Sequence, residues 1–353
     1  MQIEENAPLA PLTTLHIGGA ARALVHITSV ADIPRALMLP LAGEYVSEVR
    51  QRRVYVLGGG SNTLVPDEGF AGIVLKIEIT GIEWVVHGAP GVDGASEQLP
   101  LVIAGAGESW DALVARAVER GLWGLENLSG IPGTVGGAVW GNIGAYGAAV
   151  SQTLAWVEAY DRTTGDVLRF AGAMCAFGYR DSFFKQRAPR YIITRAAFHL
   201  SKTPQPNLSY KDLHDVFGDT PPTVAMIRDA VLAIRAKKFP NLAVEGSAGS
   251  FFKNPIVPKE QADALVAKYP EMPVFALPET TGVKIPLAWL MDHVLRLRGF
   301  AVGKVRLFEE QPLVLVAAPG ASSAEVDELA EEVRTKVFDT FGIQLEREVQ
   351  EMK

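Results

Sequence analysis

The chain has 353 residues and is 48% hydrophobic, which suits two or three folded units rather than one. Asp and Glu total 40 against 33 Lys and Arg, a net charge of −7 that argues against nucleic acid as the main partner, because phosphate backbones need a basic face. One cysteine, Cys175, and six scattered histidines exclude an internal disulfide and leave no metal-ligand spacing, so no metal is expected.

Residues Met1 to Asn6 lack the basic and apolar segments of a signal peptide. The longest apolar runs, around Leu99–Gly105 and Pro312–Pro319, are too short to span a bilayer and read as buried strands. A soluble, cytoplasmic protein with no membrane partner is expected.

In chain order, Ala23–Ile27, Arg53–Leu57 and Ile73–Ile77 are short β-branched or apolar runs of strand type, with a helix near Ile33–Leu39. Ile82–His87 and Leu101–Ala104 continue the strands, joined by a polar, Gly-rich hairpin connection over His87–Pro100. Ser109 has an N-cap residue type; Leu113, Val114, Ala117 and Val118 follow on one helical face, and Gly121 stops the helix. Leu128–Gly147 carries seven glycines, a density that predicts neither helix nor strand. Trp156–Asp161 and Tyr191–Leu200 read as strands around a loop at Phe177–Arg187.

Thr223 caps a helix that runs to Lys238 and ends at Pro240, with Arg228, Arg235 and Lys238 on one face. Ser247–Pro255 reads as a Gly-Ser-aromatic loop. Helices follow at Lys259–Lys268, Leu287–Arg298 and Ser322–Phe341, and a last strand at Gln344–Val349. The pattern predicts an α+β protein with boundaries near Lys76 and Pro240.

Six segments could carry chemistry. Gly58-Gly59-Gly60-Ser61-Asn62 follows a strand and exposes successive N–H groups, either as an anion nest or as a tight turn without a ligand. Ser129-Gly130-Ile131-Pro132-Gly133-Thr134-Val135-Gly136-Gly137, continued by Asn142-Ile143-Gly144-Ala145-Tyr146-Gly147, lets backbone press against a large flat ligand. Gly105-Ala106-Gly107 lacks the third glycine of a dinucleotide fingerprint, since Trp110 stands there, so a Rossmann dehydrogenase is disfavoured. Arg180, in Gly178-Tyr179-Arg180-Asp181-Ser182, could grip a carboxylate or pair with Asp181. Ser250, in Gly249-Ser250-Phe251-Phe252-Lys253-Asn254-Pro255, is no nucleophile elbow; it could donate a proton or only satisfy backbone. Last, Glu346 and Glu348 share one face of a strand with period two, either as a polar face or as an inward acid.

Together these segments resemble the UDP-N-acetylenolpyruvoylglucosamine reductase family, in the same order over nearly the whole chain. The Gly58–Asn62 turn is similar to its G-G-G-S-N loop. Residues 129–147 are similar to its S-G-I-P-G-x-V-G…N-I-G-A-Y-G loop, and Gly178–Ser182 to its G-Y-R-x-S. Gly249–Pro255 is similar to its G-S-F-F-K-N-P, and Leu345–Val349 to its L-E-x-E-V.

The resemblance implies a two-part FAD-binding domain of the vanillyl-alcohol-oxidase type (1–76 and 77–238), then an α/β substrate-binding domain (239–342). The terminal strand, 343–353, would pack back on the FAD-binding part. It implies noncovalent FAD gripped by the two glycine loops: Gly58 to Asn62, Ser129 to Thr134, Gly136, Gly137, Asn142, and Gly144 to Gly147. NADPH is the implied co-substrate. The implied reaction reduces UDP-N-acetylglucosamine enolpyruvate to UDP-N-acetylmuramate.

By the same resemblance Ser250 is the proton donor, Glu348 the catalytic glutamate and Arg180 the arginine beside the substrate carboxylate. Gln311 orients the same group. Tyr210, Lys238 and Asn254 match nucleotide and diphosphate ligands, and Tyr179, Arg235 and Lys253 join the substrate-binding set. A monomer is expected. Tyr210 is a mark of the family's first subtype, with Phe275 standing in for a second capping tyrosine. Three departures stand out. Val139-Trp140-Gly141 replaces the family's Pro-x-Gln, which would cost one hydrogen bond at the flavin edge. His16 stands where relatives of the second subtype often carry Arg, and Phe275–Lys284 is longer than in compact members. The rivals are another FAD enzyme of the same fold, such as an oxidase of alcohols or sugars, and a non-catalytic UDP-sugar binder.

Overall fold

The computed structural model describes residues 1–40, 53–85, 100–276 and 282–353, the side chains of 275 and 276 excepted. The expected hairpin connection over 87–99, the side chain of Phe275 and most of the Phe275–Lys284 stretch lie outside the described residues.

Contacts divide the described chain into two interleaved units. The first takes 1–7, 21–60 and 71–235; the second takes 8–20, 61–70 and 236–353. The sequence reading placed boundaries near Lys76 and Pro240, with the terminal strand 343–353 returning to the first part. Two short early segments, 8–20 and 61–70, join the C-terminal part through non-local bonds that leave no local pattern. Ser247 donates its N–H to Thr14 O at 2.7 Å, and Ser323 N–H reaches Asp67 Oδ1 at 2.8 Å. The C-terminal strand Gln350–Glu351 pairs in parallel with Thr63–Leu64.

The first unit holds two main sheets. One is four-stranded, in the order Gln2–Pro8, Ala20–Ile27, Phe70–Ile77, Val54–Leu57, the last two parallel. The other is five-stranded, in the order Val167–Ala171, Leu154–Asp161, Tyr191–His199, Leu101–Gly105, Ile82–Val85, antiparallel throughout. Leu101–Gly105 is therefore antiparallel to both neighbours, which removes the parallel βαβ unit a Rossmann site requires. The helix Trp110–Glu119 follows, with Ser109 Oγ accepting from Ala112 N–H as its cap. It buries Trp110, Leu113, Val114 and Ala117. Trp110 is wholly buried, edge-on to Phe198 at 5.7 Å, and its indole N–H donates to Leu128 O at 3.0 Å. The residue that spoils the fingerprint thus anchors the start of the glycine-rich segment.

That segment is more regular than its composition predicts. Val135–Trp140 forms a short helix despite Gly136 and Gly137, because Val135, Ala138 and Val139 are buried in the core. Gly144–Ala145 and Ala148–Ala149 form a hairpin whose tip, Tyr146-Gly147, has φ +49° and +84°, the signs of a type I′ turn. The expected loop at 177–187 contains a further short helix, Phe183–Gln186, and an edge strand, Val167–Ala171, precedes it.

In the second unit a four-stranded sheet runs Gly246–Ser250, Val314–Ala317, Val305–Leu307, Ala301–Val302. Residues 246–250 are therefore a strand and not the expected loop; the ladder to Val314–Ala317 overrides the weak strand propensity of glycine and serine. The helix Ser323–Phe341 packs Val326, Leu329, Ala330, Val333 and Val337 inward, each branched side chain worth ~1.5–3 kcal/mol of burial. Ser322 and Glu325 cap it reciprocally, at 2.8 and 3.1 Å. The expected helix over Leu287–Arg298 is shorter: Leu287–Trp289 is α-helical and Leu290–Val294 widens into a π turn. The expected strand at 344–349 is an extended segment with one bridge, Arg347 to Phe252; regular pairing begins at Gln350.

Candidate active site

In the first unit the two glycine loops meet backbone to backbone. A Cβ on Gly59 would stand 2.6 Å from Gly133 Cα, and one on Gly58 2.7 Å from Thr134 Oγ1. Only glycine allows that approach. Lys76 Nζ donates to Gly58 O from a half-buried position, and burial pushes its ammonium pKa down. Thr134 Oγ1 is buried with no hydrogen-bond partner among the described residues. Such a hydroxyl costs free energy unless something bonds it. Glycine backbone beside an orphaned donor fits a large polar ligand such as FAD.

The rest of the long loop is tied down. Ser129 is fully buried and donates to Glu126 O at 2.6 Å. Ile131 packs on the core, while Pro132 is exposed. Gly136 N–H donates to Ala106 O at 2.9 Å. The Gly130 peptide is held at both ends: its N–H donates to Asp111 Oδ1 at 2.5 Å and its carbonyl accepts from Arg235 Nε at 3.0 Å. Asp111 also takes a two-pronged bond from Arg228, at 2.6 and 2.9 Å. Sequence reasoning grouped Arg228 and Arg235 on one helix face but missed Asp111, whose role depends on a partner 117 positions away.

Arg235 also donates to the Tyr146 phenol oxygen, and burial pushes that phenol up to about 12. Tyr146 lies edge-on to the half-exposed Tyr210, centroids 5.2 Å apart. Asn127, also missed, donates to the carbonyls of Tyr146 and Asn207, at 2.7 and 2.9 Å.

Arg180 sits in a tight turn closed by reciprocal bonds between Gly178 and Asp181, at 3.0 and 3.2 Å. Its φ is +56°, a left-handed conformation that costs a bulky residue about 1–3 kcal/mol. A Cβ on Gly144 would stand 3.1 Å from Arg180 Nη1, so the guanidinium lies against the hairpin. Tyr179 lies under it, 5.7 Å from ring centre to Cζ. Asp181 accepts from Ser182 N–H and Gln186 Nε2. Asn142, predicted at the cofactor, has its amide engaged within the fold: it donates to Gly178 O at 2.9 Å and accepts from Ser151 N–H at 3.1 Å.

In the second unit Gly249, at φ +79°, makes a bulge between Ser247 and Ser250 in the strand. Ser247 Oγ locks it, donating to Leu315 O at 2.8 Å and accepting from Gly249 N–H at 3.1 Å. Ser250 is half-buried opposite Val314, and the next two residues, Phe251 and Phe252, are buried anchors 5.2 Å apart. Phe251 N–H donates to Leu313 O at 2.9 Å, and Phe251 O accepts from Glu348 N–H at 2.8 Å. Gln311 is held beside the same strand, its carbonyl accepting from Val314 N–H at 2.9 Å. Glu348 is half-buried, whereas Glu346 is exposed and ion-paired with Lys253, so the two glutamates have different surroundings.

Glu348 O accepts from Asn62 Nδ2 at 3.2 Å and Gln350 Nε2 at 2.9 Å, which ties Ser61-Asn62 to the terminal segment. Asn254 Oδ1 accepts from Leu287 N–H at 3.0 Å. Lys238 is half-buried at the end of its helix, and His16 is exposed at φ +57°. Backbone bonds thus bring together Ser250, Gln311, Glu348 and Asn62 in one unit. Gly58–Gly60, the 129–147 loop, Arg180, Tyr210 and Arg235 belong to the other. No group of three or more His, Cys, Asp or Glu among the described residues is placed to hold a metal, and no helix among them is long and apolar enough to cross a membrane.

Residues 22–171 match the family described as FAD binding domain, and residues 240–352 the family described as UDP-N-acetylenolpyruvoylglucosamine reductase, C-terminal domain. A UDP-N-acetylenolpyruvoylglucosamine reductase of Ralstonia nicotianae is 40% identical over 98% of both chains. One of Cupriavidus pinatubonensis is 41% identical over 97% of this chain and 96% of the other. The crystal structure of UDP-N-acetylenolpyruvylglucosamine reductase from Thermus caldophilus superposes with a TM-score of 0.67 at 25% identity, covering 99% of both chains.

Proposed function

The chain belongs to the UDP-N-acetylenolpyruvoylglucosamine reductase family, and from there we propose how its own residues carry the reaction. The activity is an FAD-dependent reduction in the synthesis of peptidoglycan precursors. The chemistry that bound FAD would supply is hydride, drawn from NADPH, for the enolpyruvyl double bond. The glycine backbone at 58–60 and 129–137 admits the cofactor, and the Thr134 hydroxyl offers it a hydrogen bond.

Arg180 holds the substrate carboxylate. As hydride reaches the methylene carbon, negative charge grows on the neighbouring carbon and the carboxylate oxygens, where a fixed cation lowers the barrier. Ser250 gives its hydroxyl proton to that carbon. A serine is a weak acid, but a carbanion-like centre is strongly basic, so a positioned hydroxyl suffices. Glu348 is the nearby acid that stabilises the charge, and Gln311 orients the same group. Tyr210, Lys238, Asn254, Arg235, Tyr179 and Lys253 hold the UDP-sugar. The protein acts as a monomer in the cytoplasm.

The observation that carries this reading is the bulge at Gly249 together with the Glu348 N–H bond to Phe251 O at 2.8 Å, which fixes the backbone of the proton donor and the acid in register. The test is an anaerobic visible spectrum of the purified protein with additions in sequence. Flavin bands that bleach with NADPH and return only on adding UDP-N-acetylglucosamine enolpyruvate support it. Bands that bleach and do not return with that substrate overturn the substrate assignment.

A further inference from the structure

The turn that carries Arg180 is strained and needs support beyond its own hydrogen bonds. Arg180 is a long side chain held at φ +56°, a backbone region that relaxes to the right-handed or extended form unless neighbours prevent it. Three contacts tie the turn to the 140–144 segment. Asn142 Nδ2 donates to Gly178 O at 2.9 Å, and Ser182 Oγ donates to Trp140 O at 2.7 Å. The third is Lys185. Its ammonium donates to the carbonyl of Arg180 itself at 3.0 Å and lies 5.2 Å from the centre of the Trp140 ring.

Trp140 falls within the Val139-Trp140-Gly141 departure. Its ring gives a cation a face on which to rest, and its carbonyl is already engaged by Ser182. Lys185 is half-buried, so both contacts are partly shielded from water. The carbonyl it bonds belongs to Arg180, the residue of the turn assigned to the substrate carboxylate.

We propose that Lys185, braced on the Trp140 ring, is a positioning residue: it holds the strained backbone of Arg180 so that the guanidinium stays against Gly144 and meets the substrate carboxylate. The proposal rests on the reading of Arg180 given above. It predicts a loss confined to the step in which the carboxylate is gripped, because loosening the turn displaces the guanidinium and leaves the glycine loops in place. Displacement of a catalytic group by about an ångström costs up to about a hundredfold in rate.

The experiment is anaerobic stopped-flow on the FAD-loaded protein, reading flavin reduction by NADPH and reoxidation by the enolpyruvyl substrate separately. Lys185→Met slows reoxidation by about tenfold to a hundredfold while reduction and FAD content stay near wild type. Lys185→Arg, which can donate to the same carbonyl and rest on the same ring, recovers most of the loss. Lys185→Met added to Arg180→Met slows reoxidation no further, because the two act as one unit. Equal loss in both half-reactions, or losses that add in the double variant, overturns the proposal and leaves Lys185 a structural residue. If Arg180→Met alone leaves reoxidation intact, the reading of Arg180 falls and the positioning role with it. Should Lys185→Met fail to fold, Trp140→Leu is read in the same assay: a loss confined to reoxidation supports the brace, and an equal loss in both steps overturns it.

Discussion

Glu348 donates its backbone N–H to the carbonyl of Phe251 at 2.8 Å, which registers an acid five residues from the chain's end one position away from Ser250. Phe251 is 1% exposed, so the register is set by a buried anchor and not by the polar residues it serves. Glu348→Gln keeps this backbone bond and removes only the acid. Substrate-dependent reoxidation of the reduced flavin slows by about 10²–10³, with NADPH-dependent reduction unchanged, in single-turnover absorbance at the flavin band.

Gly59 tests the cofactor loops separately from the chemistry. A Cβ there meets Gly133 backbone at 2.6 Å, and overpacking of this kind costs about 1–3 kcal/mol. Gly59→Ala therefore purifies with less FAD per chain and binds added FAD about tenfold or more weakly, read as flavin absorbance relative to protein. Wild-type FAD content would contradict the placement.

Lys238→Ala acts on binding. Loss of a charge-assisted hydrogen bond costs about 1.5–3 kcal/mol, so KM for the UDP-linked substrate rises roughly tenfold or more with kcat changed little. A fall in kcat at constant KM would move Lys238 out of the binding set.

Asp161 governs acid stability away from the site. The Arg190 guanidinium, bonded at 2.7 Å, and the Thr163 N–H hold its carboxyl down at about 2. A depressed folded-state pKa stabilises the fold above the unfolded value near 4. That stabilisation is lost as pH falls from about 4 to about 2. Asp161→Asn, followed by circular dichroism against pH, is less stable at neutral pH and shows a shallower loss across that window. An unchanged acid profile would contradict the assignment.

Much of this was legible because local signals agreed with the tertiary structure. Thr223 caps its helix, with Met226 N–H bonding its Oγ1 at 3.2 Å, and Ser322 does the same with Glu325. The glycine loops announced themselves by density. What was not legible depended on distant partners. Residues 246–250 look like a loop until Val314–Ala317 supplies the ladder. Val135–Trp140 looks unable to form a helix until the core takes Val135, Ala138 and Val139. Segments 8–20 and 61–70 carry no mark that they belong with 236–353; Gly246 meets Leu15 O so closely that a Cβ would stand 2.0 Å from it. At the site, Asp111, Asn127 and Lys185 act through bonds to backbone carbonyls, N–H groups and distant charges that spacing does not encode.

Proton transfer from Ser250 is tested most directly by the reoxidation of NADPH-reduced Ser250→Ala by UDP-N-acetylglucosamine enolpyruvate, followed anaerobically at the flavin band. NADPH reduces this variant at the wild-type rate, and reoxidation is slower by about three orders of magnitude, the scale of a lost general acid. Reoxidation near the wild-type rate would contradict this and remove Ser250 from the proton transfer.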